Sequence, residues 1–153
     1  RIRMKTPETL NRKRDTTDMD HNQEIETFIN QWPESSDGCR NVFSRLFAFL
    51  IGLAGAEIEF HSRPGITYSL RGLPAEDSDI PLFVMIDVIE DQPRWLSVCF
   101  YQQMVTDPEG RGDSIPGGLL GEDGLCFDVE SEDASLIEYL QQRISEACKA
   151  ASN

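Results

Sequence analysis

The sequence predicts an α+β domain with the element order ααβββββα, in which helices cover one face of a mainly antiparallel five-stranded sheet. Apolar residues recur at helical spacing near both ends of the domain and at alternate positions in between. Short turns join the first two strands and the third to the fourth, which requires antiparallel pairing. Helices and strands are segregated along the chain, which is typical of the α+β class.

The first two predicted elements are helices. A capping pattern of Asp20 and Gln23 begins the first helix, which ends before Pro33. The second helix carries a wide apolar face between Val42 and Leu53. A face of this width indicates the central helix of the core.

The five predicted strands and a last helix follow. The strands cover residues 57–61, 66–71, 82–89, 95–101 and 125–129. Pro64-Gly65 supplies the turn of a hairpin between the first two strands. The third strand is apolar on both faces, which leaves its orientation open. Asp133 caps the last helix.

The chain is acidic, with 27 acidic residues against 14 basic ones. Six of the bases and one of the acids lie within residues 1–14, so the rest of the chain has 18 more acids than bases. Such a surface repels phosphate backbones, and we expect no nucleic-acid partner for this acidic body. Residues 1–19 are predicted to be a disordered basic tail. If the natural protein starts at Met19, the residues before it do not belong to it. A basic arm that contacts a partner is the alternative, and residues 20–150 form the predicted single domain.

The cysteines are widely spaced and match no zinc motif: Cys39, Cys99, Cys126 and Cys148. No apolar run approaches the ~20 residues of a membrane span, and no secretory signal is recognised in the basic start. We therefore expect a cytoplasmic bacterial protein with reduced thiols, no membrane partner and no cofactor.

The longest predicted loop covers residues 102–124 and contains Arg111-Gly112-Asp113-Ser114, a tetrapeptide that integrin-type receptors read on secreted proteins. It does not have the acid that ends a calcium-binding loop, or the Lys and Ser/Thr ending of a phosphate-binding loop. Loops of this length tend to be functional lids or disordered. We expect the length and position of the loop to matter, and the tetrapeptide to be a chance match.

Three segments resemble parts of a known group of proteins. They are AEIEFHSRPGITYSLRG, PLFVMIDVIEDQPRWLSVCFY and GLCFDVESEDASLIEYLQQRISEACKAA. Over residues 38–150 the chain resembles small bacterial α+β domains of uncharacterised function, of the MmcQ/YjbR-like or YdhG-like type. In these domains a closing strand enters a capped C-terminal helix that lies on an antiparallel sheet. The resemblance implies a fold more than an activity.

Alternation along the strands predicts a sheet face that is turned away from the helices, with an aromatic middle and ionic surroundings. The residues that we expect to bind a ligand or partner there are Arg71, Phe83, Met85, Asp87, Trp95 and Tyr101. An exposed apolar patch of this kind usually marks a binding surface. Coverage of one row by the first helix or the long loop is the alternative.

Glu57, Glu59 and His61 alternate on the first predicted strand, so their side chains project to one face. Carboxylates and imidazole can bind a divalent metal, but this triplet extends over about 13 Å and needs a further ligand. A solvated strand face is the alternative interpretation.

These patterns predict a non-catalytic binding or interaction module that uses the sheet face and residues 102–124. Its partner is a protein or a small ligand. The sequence contains no G-x-S-x-G nucleophile motif. The competing interpretations are a metal-dependent enzyme that uses Glu57, Glu59 and His61, and a module that forms a homodimer.

Overall fold

A computed structural model describes residues 21–33 and 37–152. Within these ranges the helices are α1 (residues 21–31), α2 (Cys39–Ile51) and α3 (Ala134–Ser152). The strands are β1 (Ala56–Arg63), β2 (Thr67–Pro74), β3 (Val84–Ile89), β4 (Trp95–Tyr101), β5 (Asp113–Leu119) and β6 (Glu122–Val129). The predicted basic tail and the capping role of Asp20 lie outside the described residues.

The six strands form one antiparallel sheet in the order β1-β2-β3-β4-β6-β5. This confirms the predicted α+β class and antiparallel pairing, whereas the prediction of five strands is wrong. The additional strand, β5, lies inside the segment that was expected to be a loop and pairs with β6. Its sequence DSIPGGL has no alternation and contains Pro116 and two glycines, which usually indicate a turn.

The helices and one face of the sheet enclose the main core. Alternate residues of the central strands are fully buried on this face, among them Ile86, Val98 and Leu96. They pack against the apolar sides of α2 and α3. The open question about β3 is thereby resolved, because Val84, Ile86 and Val88 are buried while the residues between them are half-buried on the other face.

The last helix begins as the sequence predicts. The Oδ1 atom of Asp133 accepts hydrogen bonds from the backbone N–H groups of Ser135 at 3.0 Å and Leu136 at 3.3 Å. These bonds satisfy two of the donors that the first turn of a helix leaves unpaired. The strand β6 therefore passes into α3 through a defined turn.

Arg94 connects α1 to the sheet. Its guanidinium carbon lies 5.2 Å from the ring centroids of Phe28, Trp32 and Tyr68. Two further bonds join Arg94 to Glu90, from Nε to Oε1 at 2.6 Å and from Nη2 to Oε2 at 3.0 Å. The hydrogen bond from Arg94 lowers the pKa of Glu90 although partial desolvation acts against it. The arginine thus neutralises Glu90 and is a common neighbour of three rings, one from α1, one from the residue that follows α1 and one from β2.

We predict that Arg94→Ala lowers the free energy of unfolding by about 2–4 kcal/mol, because it removes the ring contacts and leaves Glu90 without its cation. Arg94→Lys retains the charge but not the planar fork, and we expect an intermediate loss. Urea denaturation measures both, with the exposed Arg45→Ala as control. Because the pKa of Glu90 is lowered in the folded state, the difference should shrink as acid protonates Glu90. A loss no larger than that of the control would contradict this role.

The turn between β5 and β6 consists of Leu120 and Gly121, which have φ angles of 52° and 87°. Two-residue hairpin turns with this geometry favour Asn-Gly, because a leucine side chain is strained at positive φ. We predict that Leu120→Asn raises the free energy of unfolding by about 1 kcal/mol, measured by thermal and urea denaturation. Ile66→Asn is the control, since Ile66 is also an exposed apolar turn residue and does not have a positive φ angle. An equal gain in both variants would attribute the effect to surface polarity instead of backbone strain.

Candidate functional site

The outer face of the sheet, which is the face opposite the helices, brings several of the predicted residues together. Arg71 of β2 lies opposite Met85 of β3, and Met85 lies opposite Cys99 of β4. Trp95 lies opposite Ile89. The side chains of Arg71, Met85 and Trp95 are half-buried, so each retains exposed surface.

Asp87 lies at the centre of this face. Its neighbours on the adjoining strands are Ser69 of β2 and Ser97 of β4. Ser69 forms a hydrogen bond with the carboxylate, while the buried Oδ1 atom has no hydrogen-bond partner. Burial raises the pKa of Asp87, and the Ser69 bond and the charge of Arg71 oppose this effect only in part. The carboxylate is therefore an incompletely satisfied acceptor in the middle of the sheet.

Arg71 and Ser69 hold Asp87 from one side. The Nε atom of Arg71 donates a hydrogen bond to the Oγ atom of Ser69 at 3.1 Å. Because a hydroxyl has one donor, Ser69 accepts from Arg71 and donates to Asp87. Ser69 itself is only 3% exposed. Arg71 thus acts on Asp87 through the serine and by its charge.

Trp95 forms the apolar border of the site. Its indole Nε1 donates to Asp91 Oδ2 at 3.0 Å, which fixes the ring next to the turn between β3 and β4. Met85 lies two residues before Asp87 on β3, and Ile89 lies two residues after it. An apolar rim therefore surrounds the carboxylate along the strand direction.

Two residues of the predicted site are not available at the surface. Phe83 precedes β3 and is fully buried in the main core. A Cβ atom on Gly72 would lie 2.8 Å from the Cζ atom of Phe83, so the glycine makes room for this ring. The placement of Phe83 on the outer face is therefore wrong, because the alternation of β3 does not extend to the residue before it.

Tyr101 is on the outer face but is only 6% exposed, in a small cluster with Leu82 and Leu119. Burial raises the pKa of its hydroxyl, and the charge of Glu122 adds to the effect. The β2–β3 connection and the tip of the β5–β6 hairpin cover the ring. Coverage of one row, which the sequence left as an alternative, thus applies to Tyr101.

A disulfide joins Cys99 and Cys126, which lie directly opposite each other on β4 and β6 with their Cα atoms 4.1 Å apart. The expectation of reduced thiols is therefore wrong for these two residues. Cys39 and Cys148 are free and buried, and burial raises the pKa of the Cys39 thiol to about 12. The cytoplasmic location stays a prediction. No helix in residues 21–33 or 37–152 is both long and apolar enough to span a membrane.

The triplet on β1 does lie on one face, as the alternation predicts. His61 Nε2 is 3.0 Å from Glu59 Oε1, and both side chains are nearly half exposed. Across the described ranges, however, no group of three or more His, Cys, Asp or Glu side chains is arranged to hold a metal ion. The geometry gives no support to a metal site at Glu57, Glu59 and His61.

Asp107 anchors the segment that leads into β5. Its carboxylate accepts backbone hydrogen bonds from Arg111 and Gly112, both at 2.9 Å, and one from the hydroxyl of Tyr139 in α3. Burial acts to raise the pKa of Asp107, but the bonds from Tyr139, Gly112 and Arg111 outweigh it and lower the pKa. The expected loop is thus a fixed connection. The Arg111 guanidinium lies 5.3 Å from the Tyr139 ring centroid, and Asp113 begins β5.

Comparisons with known proteins add no further constraint. No protein-family model matches the chain, and neither the curated proteins nor the solved structures contain a significant match. The resemblance to MmcQ/YjbR-like or YdhG-like domains stays a prediction. The outer face, and the unsatisfied carboxylate at its centre, is the feature of the described residues on which a function can be argued.

We predict that Asp87→Asn raises the free energy of unfolding at pH ~7 by about 1 kcal/mol, because it removes a buried charge that is incompletely satisfied. The pKa of Asp87 is raised in the folded state, so this cost is present above the raised pKa and disappears below the ordinary one. The gain should therefore vanish near pH ~3.5. Urea denaturation at both pH values measures it. Asp128→Asn, at an exposed position two strands away, is the control, and destabilisation by Asp87→Asn at pH ~7 would overturn the assignment.

Proposed function

We propose that the protein is a non-catalytic interaction module whose outer face binds a protein partner, and that the partner inserts a cationic side chain flanked by apolar residues. One observation carries the proposal: the carboxylate of Asp87 is incompletely satisfied at the centre of a face that no described helix covers. Native proteins rarely leave a buried polar atom unpaired, and binding sites are a recognised exception.

The charge of the protein favours a cationic partner. Outside residues 1–14 the chain has 18 more acidic than basic residues. Such a field attracts basic partners and increases their association rate. Asp87 as a residue is half-buried, so an incoming ammonium or guanidinium group would meet the exposed part of its carboxylate, and the charge of that group would lower the pKa of the carboxyl group.

The surroundings of Asp87 supply the apolar part of the interface. Trp95, Met85 and Ile89 are half-buried beside it, and β5 extends the same face with Ile115, which is 41% exposed. Tryptophan and methionine are enriched in protein interfaces, and tryptophan contributes more than most residues to binding energy. The segment 102–124 thus contributes to the proposed surface through strand β5.

The groups on this face are better suited to binding than to catalysis. The hydroxyl of Ser69 is buried and bonded to both Arg71 and Asp87, so a substrate cannot reach it. His61 is engaged with Glu59. A small cationic ligand would need Asp87 alone, whereas a protein partner also needs Trp95.

Selection from a random peptide library displayed on phage tests the proposal with the full chain as target. We expect the selected peptides to contain lysine or arginine next to an aromatic or aliphatic residue. Asp87→Asn and Trp95→Ala should each weaken the binding of a synthetic selected peptide by about tenfold or more, measured by calorimetry. Since Asp87→Asn is expected to stabilise the fold, its loss of binding would not be due to unfolding.

The matched control is Glu138→Gln, which removes one negative charge from an exposed position on α3, on the helical side of the sheet. It should leave peptide affinity unchanged. Peptides without basic residues, or peptides that bind Asp87→Asn and Trp95→Ala as tightly as the parent, would refute the proposed surface. Loss of binding in Asp87→Asn but not in Trp95→Ala would instead indicate recognition of a small cationic group.

A further inference from the structure

We propose that strand β1 pairs with β1 of a second copy of this chain, antiparallel and centred on Phe60, so that two six-stranded sheets become one. The interface is the β1 edge of the sheet, which no other described strand pairs with, and not the outer face, so the inference does not depend on the proposed function. A two-fold axis perpendicular to the sheet relates the copies, which keeps their helices on one side.

The two edges of the sheet differ in their capacity to pair. The β5 edge contains Pro116, which has no N–H group, and its register with β6 shifts between Ile115 and Leu119. Proline and irregular pairing are devices that prevent an edge strand from recruiting another strand. The β1 edge has neither, since all eight residues from Ala56 to Arg63 pair with β2 in one continuous register.

On the side away from β2, no strand within residues 21–33 and 37–152 pairs with β1. Each strand directs half of its N–H and C=O groups to either side, and β2 lies on one side of β1 alone. Apart from the ladder with β2, no backbone hydrogen bond joins residues 57–62 to any other part of residues 21–33 and 37–152. An open groove beside this edge is lined by Thr27, Phe60 and Ser62, and Phe28 of α1 packs on Phe60 with ring centroids 5.5 Å apart.

The charges on β1 are complementary to themselves in one register. With Phe60 opposite Phe60 of the second copy, Glu57 lies opposite Arg63 and Glu59 lies opposite His61, each twice by symmetry. Glu59 and His61 already contact each other within the chain at 3.0 Å, and Arg63 is exposed. Opposite charges directly across an antiparallel pair stabilise it, and like charges destabilise it.

The neighbouring registers have fewer complementary pairs. A shift by two residues in one direction keeps Glu57 opposite His61 but places Glu59 opposite Glu59, and a shift in the other direction keeps Glu59 opposite Arg63 but places His61 opposite His61. A shift by one residue would turn the charged side chains of one copy toward the buried face of the other. The alternating Glu, Glu, His and Arg of β1 therefore favour the pairing centred on Phe60, in which each of the four residues lies opposite a complementary group.

Sedimentation equilibrium of the full chain and of two single variants tests this interface. The parent should dimerise reversibly. Arg63→Glu places two glutamates opposite each other, and Glu57→Arg places two arginines opposite each other, so each variant alone should have a dissociation constant about tenfold or more above that of the parent. An equimolar mixture of the two variants restores opposite charges at both positions and should form a heterodimer with near-parental affinity.

Three outcomes would overturn the inference: a parent that stays monomeric at its highest soluble concentration, single variants that dimerise like the parent, or a mixture that stays monomeric. Loss of the dimer in Trp95→Ala but not in Arg63→Glu would place the contact on the outer face instead. If Glu57→Arg does not fold by circular dichroism, Arg63→Glu decides alone, with Arg45→Glu at an exposed position of α2 as the control for the same change in net charge.

Discussion

All the helices that the structure describes pack against the same face of the sheet, and this one-sided burial determines what each strand position requires. Inner positions must be apolar, since they form the only large core that the described residues share. Outer positions are under no such demand, so β2, β3 and β4 can place Ser69, Asp87 and Ser97 side by side at the centre of the sheet. The pKa of Asp87 is nevertheless raised by burial, so a charged group at this position is not fully solvated.

Side-chain contacts at the margins of the helical layer attach it to the rest of the fold. Arg94 does so for α1, where its guanidinium lies among three aromatic rings and its charge is balanced by Glu90. Asp107 and Tyr139 do so at the opposite side, where they connect the segment before β5 to α3. In both places neighbouring residues of the chain form hydrogen bonds with the charged group, which serves the structure. The Oδ1 atom of Asp87 has no such partner among the described residues. This difference, together with the position of Asp87 at the centre of the outer face, makes Asp87 a candidate binding group.

The elements with strong periodicity could be predicted from the sequence. Features that depend on contacts between distant segments of the chain could not. The alternation of β4 and the cap at Asp133 were correctly predicted, because both depend on residues next to each other in the chain. Strand β5 was missed because its single proline and its two glycines are typical of a turn, and only the three-dimensional structure reveals its pairing with β6. The burial of Phe83 depends on the space above Gly72, a residue of another strand. Cys99 and Cys126 were correctly assigned to strands, yet only the adjacency of β4 and β6 brings their sulfur atoms together.

The Cys99–Cys126 bridge also has a topological effect on the segment that begins after β4. The two cysteines are 27 positions apart, and the covalent ring that they close contains the 3-10 turn, the Asp107 connection and the whole of β5. A protease that cuts an exposed bond near Glu109 would therefore produce two fragments that stay linked as one molecule. Strand β5 would remain tethered beside β6 after such a cut, and the nick would become visible as separate fragments only after reduction. The disulfide thus keeps β5 attached to the protein after a cut, although the irregular pairing of β5 with β6 is the weakest in the sheet.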